Sequence, residues 1–266
     1  MGLAVAHALS ARNAQWSLHI FDLNATAGES AASSLSNATF HRTNVADYAS
    51  LAASFRAAFA QHGRLDFVFA NAGIAEKTNF YAAQQTAGIE PPGPPEEAML
   101  VVDVCLKSVV ATTWLAQHYF RISPAPGGDR SIVMTASCGG LYPSYYSATY
   151  SAAKHGVVGF VRSVAPQFWR ALGVRVNAVC PGVVKTNLLS GREWENFPEE
   201  YFTPVESIVQ VVLMLVDGKD EAREGILKGC TVEVSGKKHY YREQPDYCDE
   251  GMRAVMASTD VEEIKH

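Results

Sequence analysis

"RSIVMTASCGGLYPSYYSATYSAAKHGVVGFV" occupies residues 130–161. It opens with an apolar run of strand length, turns at Gly139-Gly140, and continues at Tyr150 into a segment with helical spacing of its apolar residues. The same alternation extends in both directions. Strand-like runs are read at 17–22, from 38, and at 64–73, 173–182 and 230–236, with helical patterns at 3–12, 25–35, 48–62, 97–120, 150–171 and 205–216. Short apolar strands separated by amphipathic helices imply parallel βαβ units with helices over both faces of one sheet. The expectation is an α/β protein with a doubly wound parallel sheet in three αβα layers, one domain over 1–266. Its core would be 1–236, with a tail at 237–266 that carries no strand signal and packs on the domain or on a neighbouring subunit. A Pro/Gly-rich loop is expected at 87–97.

Composition narrows the function. With 48% hydrophobic and 18% charged residues the chain can bury a core, and a net charge of −5 argues against a general nucleic-acid surface. No uninterrupted apolar run reaches the ~20 residues of a membrane span, and no secretory signal is visible at Met1. The cysteines, Cys105, Cys138, Cys180, Cys230 and Cys248, are odd in number and widely spaced without a CxxC. Reduced thiols in an intracellular, cytoplasmic setting are expected, with no disulfide framework and no metal site.

"YSAAK" places Tyr150 and Lys154 four residues apart, on one face of a helix. A tyrosine ionises near pH ~10, too high for acid/base work at neutrality, and a neighbouring ammonium is expected to lower that value. Taken alone, the pair also fits a surface Tyr–Lys contact. Upstream, Ser137 closes an apolar strand, and ligand crevices in open parallel sheets lie outside the carboxyl ends of the strands. Alone, Ser137 also reads as a turn residue.

Together these residues resemble the short-chain dehydrogenase/reductase family, and further motifs agree. "NAG" (71–73) follows a strand, as the family's NNAG-type turn does beside the adenosine, and "PGVVKT" (181–186) is similar to the family's PG motif near the nicotinamide. The resemblance runs from Gly2 to about Gly236. The 48–62 helix, the Pro-rich insertion and the tail look most like the NAD-dependent 15-hydroxyprostaglandin-dehydrogenase-like branch found in fungi. It implies a Rossmann-like fold and hydride transfer between NAD(H) and a secondary alcohol or ketone. Tyr150 would be the acid/base, Lys154 would tune it and hold the nicotinamide ribose, and Ser137 would orient the substrate oxygen. It also implies a cofactor surface of Gly2, Asp22, Asn44, Val45, Asn71, Ala72, Gly73, Pro181, Gly182, Val184 and Thr186 beside Tyr150 and Lys154, and a homodimer or homotetramer.

Asp22 ends a strand about 20 residues past Gly2, the offset of the acidic residue that binds an adenosine ribose. Its carboxylate would repel a 2′-phosphate, favouring NAD over NADP; the other reading is a capping Asp before the 25–35 helix. Large apolar and aromatic residues after Ser137 and at 187–202, among them Leu141, Tyr142, Leu188 and Trp194, suggest a hydrophobic or aromatic substrate, or simply pack the loops.

Two departures stand out. The chain opens "MGLAVAHAL", so that Gly2 matches the last glycine of the family's TGxxxGxG loop, while the first strand and earlier glycines have no counterpart. Truncation at an internal Met is one expectation; a shortened protein that binds dinucleotide poorly is the other. Cys105 stands where the family usually has Asn, and a thiol replaces an amide poorly in a hydrogen-bond relay; it is read either as core or as a functional substitution. A non-catalytic binding or assembly module, or a non-redox use of the fold, is the competing class.

Overall fold

The computed structural model describes residues 1–12, 15–77, 79–81, 89, 91–124, 130–189, 191 and 193–260. Part of the expected Pro/Gly-rich loop (87, 88 and 90) and the end of the tail (261–266) lie outside the described residues. In chain order the elements are α1 (Gly2–Arg12), β1 (Leu18–Asp22), α2 (Ala25–Ser33), β2 (Ala38–Arg42), α3 (Tyr48–His62), β3 (Phe67–Ala70) and α4 (Glu96–Val102). There follow α5 (Ser108–Ile122), β4 (Arg130–Thr135), α6 (Ala148–Leu172), β5 (Val174–Pro181), α7 (Val205–Asp217), β6 (Thr231–Ser235), β7 (Lys238–Tyr241) and α8 (Glu250–Ala257).

The strands β3, β4, β5 and β6 form a parallel ladder in that order. Alternate residues of each strand feed opposite layers, as period-two geometry requires. Ile132 and Met134 of β4, with Val174, Val176 and Ala178 of β5, pack under α5 and α6. Val133 and Val179 face the other way, against Val5 and Leu9 of α1 and Ile208, Val212 and Leu215 of α7. Helices therefore cover both faces, and every residue of β5 is buried. The three-layer α/β architecture read from the sequence is the one observed.

Local signals account for the boundaries. Asn24 caps α2 by accepting from Ala27 N at 3.0 Å, and Asp47 caps α3 by accepting from Ala49 N at 3.0 Å. Gly173 ends α6 in the left-handed region at φ 62°, where a residue without Cβ is favoured. The unit α4–α5 is continuous through a π-helical turn at Asp103–Lys107. By length and composition this Glu96–Ile122 helix could cross a membrane. Here one face of it packs against α6, α3 and β3.

The tail reading needs correction. Residues 238–241 form β7, antiparallel to β6, with Ser235 opposite Lys238. The Gly236-Lys237 pair between them makes a two-residue hairpin turn, and Gly236 has the positive φ of 57° that such turns require. The β-prone run His239-Tyr240-Tyr241 after a glycine was the available signal.

The sheet is also interrupted. β1 and β2 pair in parallel as a separate two-stranded ribbon. Between β1 and β3 lies a cavity of about 1210 Å³, lined by all of Leu18–Asp22 and all of Phe67–Ala70. Among the described residues no strand occupies it. The consequence is visible in burial: β1 and β3 are only half-buried where β4 and β5 are almost fully buried. The ribbon is tied to the main body by side chains, through Phe21 on Phe55 (5.6 Å between ring centroids) and Trp16 on Phe67 (6.5 Å). An unpaired strand edge lacks ladder hydrogen bonds that stabilise its neighbours. Hydrogen exchange followed by mass spectrometry should therefore find the amides of β1 and β2 exchanging on the order of 100-fold faster than those of β4 and β5. Equal protection would mean that the ribbon and the main sheet open as one unit.

Candidate active site

The carboxyl end of β4 starts the site. After Thr135 the chain runs through Ala136 to Ser137, whose extended backbone (φ −173°, ψ 162°) starts a short 3₁₀ turn at Cys138–Gly140. Ser137 Oγ accepts from Gly139 N at 3.1 Å, which fixes the hydroxyl. The turn lies against the first turns of α6. A Cβ on Gly140 would fall 2.6 Å from the Lys154 carbonyl oxygen and 2.8 Å from its carbon, so this approach to helix backbone is open only to glycine. Ser151 Oγ reinforces the contact by donating to Gly139 O at 2.8 Å.

Tyr150 and Lys154 both point to this junction. The space beside Gly139 brings Ser137 Oγ and Tyr150 Cε1 to the same distance, 3.6 Å, from one point. Lys154, 2% exposed, donates from Nζ to Thr135 O at 2.7 Å and lies 5.6 Å from the Tyr150 ring centroid. A point beside Gly73 is 3.7 Å from Cys105 Sγ and 3.8 Å from Lys154 Nζ. Cys105 is fully buried, among Val101 and Ala153, and its thiol bonds the backbone of Ile74, accepting from N and donating to O at 3.4 Å each. It is thus both core and a clamp on the loop that carries Asn71 and Gly73.

The electrostatics differ from the sequence reading. Burial raises the Tyr150 phenol to about 12, and the hydrogen bond with Ser137 opposes that only in part. Burial also lowers the Lys154 ammonium. Both groups move towards their neutral forms. The expected lowering of the tyrosine by Lys154 is not seen, because the desolvation of a phenolate outweighs an ammonium already bonded to a carbonyl.

Ten expected residues line the cavity that also forms the slot beside β1: Gly2, Asp22, Asn44, Val45, Asn71, Ala72, Gly73, Tyr150, Lys154 and Thr186. Asp22 ends β1 and accepts from Asn24 N at 2.8 Å through Oδ1; the cap of α2 is Asn24, so the capping role considered for Asp22 is not its own. Asn71 accepts from Thr135 Oγ1 at 3.2 Å, and its Nδ2 is 3.1 Å from where a Gly2 Cβ would sit. Pro181, Gly182 and Val184 are placed elsewhere. Pro181 pairs with Val234 in the ladder, Gly182 N donates to Val234 O at 2.8 Å, and Val184 is buried against α7. They are not among the residues that line the cavity. Ser137 stands beside Tyr150 without being a wall of the cavity. The sequence reading missed Thr135, whose carbonyl and hydroxyl serve Lys154 and Asn71, and Glu76, which accepts from Tyr150 N at 2.8 Å.

The profile of the short chain dehydrogenase family matches residues 1–196. The chain belongs to that family. It is 50% identical to the short-chain dehydrogenase/reductase prx7 of Penicillium rubens, over 98% of this chain and 97% of that one. It is 31% identical to human 15-hydroxyprostaglandin dehydrogenase [NAD(+)], over 80% of this chain and 74% of that one. Among solved structures, the 3-ketoacyl-(acyl-carrier-protein) reductase of Brucella melitensis complexed with NADH superposes with a TM-score of 0.69, covering 83% of this chain and 86% of that one at 23% identity, a likeness of fold. As a short-chain dehydrogenase the protein is an oxidoreductase, and the Ser137–Tyr150–Lys154 junction stands at the carboxyl ends of the strands where such a sheet places its chemistry.

Because the folded phenol titrates above its ordinary value, its contribution to stability is complete below pH ~10 and is lost as pH rises through about 12. An ultraviolet difference titration of wild type against Tyr150→Phe, without cofactor, should show the missing phenolate signal only above pH ~10. A signal near pH 8 would mean that Lys154 controls the phenol after all.

Proposed function

We propose that this short-chain dehydrogenase interconverts a secondary alcohol and a ketone using NAD(H), with Tyr150 as the proton-transfer group. The observation that carries the reading is the convergence of Ser137, Tyr150 and Lys154 at one end of a cavity whose other wall holds Asp22.

The residues present fit a dinucleotide. Asp22 retains a carboxylate oxygen beyond its bond to Asn24 and would accept from ribose hydroxyls while repelling a 2′-phosphate. Asn44, Val45 and the 71–73 turn would flank the adenosine, and Gly2 keeps the start of α1 free of a side chain. Lys154 and Thr186 would hold the nicotinamide end. The cofactor, when bound, supplies the hydride acceptor or donor, and the protein contributes placement and proton transfer.

In the reducing direction Ser137 Oγ donates a hydrogen bond to the substrate carbonyl oxygen, and Tyr150 gives that oxygen its proton. In oxidation the phenolate form of Tyr150 takes the hydroxyl proton, and Lys154 stabilises that form. The raised phenol keeps Tyr150 protonated at neutral pH, ready to donate. Leu188, on the cavity wall, favours an apolar substrate. Tyr145 and Tyr146, 78% and 90% exposed, do not enclose one in this structure. The exposed Val110 and Trp114 of α5 supply an apolar face for the expected homodimer or homotetramer, and the five free cysteines suit a reducing, cytoplasmic setting.

Thermal unfolding with NAD at ~100 times its dissociation constant should gain about 2.7 kcal/mol of stability, with a much smaller gain from NADP. No gain from either in a folded sample would favour the binding-module reading. In a screen of apolar secondary alcohols, Tyr150→Phe should lower turnover by ~10²–10⁴-fold with melting nearly unchanged. Activity retained in that variant would remove Tyr150 from the chemistry.

A further inference from the structure

The helix that carries Tyr150 and Lys154 starts without a local cap. Ser147, its N-cap residue, makes no side-chain hydrogen bond to the helix, although the first turn of any helix leaves backbone N–H groups without intrahelical partners. The acceptor for the Tyr150 N–H comes from far away in sequence: Glu76 Oε2, at 2.8 Å. A carboxylate at a helix N-terminus faces the positive end of the helix dipole and makes a charge-assisted bond. The other oxygen, Oε1, is buried and has no hydrogen-bond partner among the described residues. Leaving an acceptor so placed has a cost, which argues against Glu76 as incidental packing.

Glu76 belongs to the loop that follows β3. That loop is held near its start by the Thr135–Asn71 bond and at Ile74 by the Cys105 thiol. Through Glu76 the same loop reaches the backbone of the tyrosine itself. We propose that Glu76 is a positioning residue: its carboxylate ties the 71–77 loop to the first turn of α6 and sets where the Tyr150 phenol stands relative to Ser137 and to the 71–73 turn. This rests on the proposed role of Tyr150. A displacement of the order of 1 Å at a reacting group can lower a rate by ~100-fold, so a tether on the backbone of Tyr150 acts on the chemical step more than on binding.

The test uses the full chain with Glu76→Ala, Glu76→Gln and the double variant Glu76→Ala/Ser147→Asp, the last restoring an ordinary local cap. Two readouts are followed: protection of the Tyr150 amide in hydrogen exchange by NMR, and kcat and KM at saturating NAD with an alcohol that wild type oxidises. Glu76→Ala should lose ~10-fold or more in both amide protection and kcat, with KM for the alcohol within ~3-fold. Glu76→Gln keeps an acceptor oxygen and should recover both to within ~3-fold of wild type. The double variant should regain melting temperature but not kcat. If Glu76→Ala does not fold, Glu76→Asp, with a shorter reach, takes its place with the same expected losses. Unchanged kcat in the substituted protein overturns the proposal, as does full recovery of kcat in the double variant, which would reduce Glu76 to a helix cap. If wild type oxidises no alcohol, the reading of the reaction fails by itself; the exchange readout then still decides the tether, and an unchanged Tyr150 amide overturns it.

Discussion

The Lys154–Thr135 hydrogen bond is the contact around which the site is organised. A buried ammonium is costly unless its donors are satisfied, and here the partner is a main-chain carbonyl at the carboxyl end of β4, 2.7 Å away. That bond joins the middle of the parallel ladder to the helix that follows it. It holds α6 at the height where Tyr150 meets Ser137, and it depends on Gly140, since any side chain there would strike the Lys154 backbone. Strand, glycine turn and helix therefore act as one unit, and the three polar side chains are positioned by packing that none of them could enforce alone.

The price of that burial appears in the titration behaviour. Taking Tyr150 and Lys154 out of water moves each towards its neutral form. The phenol is consequently a held proton at neutral pH. Cys105, in place of an amide, contributes a weak donor and acceptor and spends both on the Ile74 backbone. Its thiol thus holds the 71–77 loop in place.

The interrupted sheet is the other governing feature. The two halves of the proposed dinucleotide surface sit on different parts of the sheet: Asp22, Asn44 and Val45 at the carboxyl end of the β1–β2 ribbon, and Asn71 to Gly73 with Tyr150 and Lys154 on the main sheet. Side-chain contacts, aromatic and polar, rather than ladder hydrogen bonds hold them together. The same cavity is both slot and candidate binding surface, which couples the stability of the ribbon to whatever occupies the groove.

Much of this was legible in the residues. The alternation of apolar runs and amphipathic segments located the strands and helices as far as β6 to within a few positions, because period-two and helical repeats are local properties of a chain that must bury one face. Tyr150, Lys154 and Ser137 were marked by spacing and by their place at a strand end and on a helix. Tertiary structure alone decided the rest. Pro181, Gly182 and Val184 matched a motif, and the folded chain engages them in ladder pairing and core packing. Glu76 carries no signal, since its partner is a backbone N–H distant in sequence. The direction of the Tyr150 shift was misread for the same reason: a spacing of four places an ammonium near a phenol, but only the folded protein determines how much water is left between them.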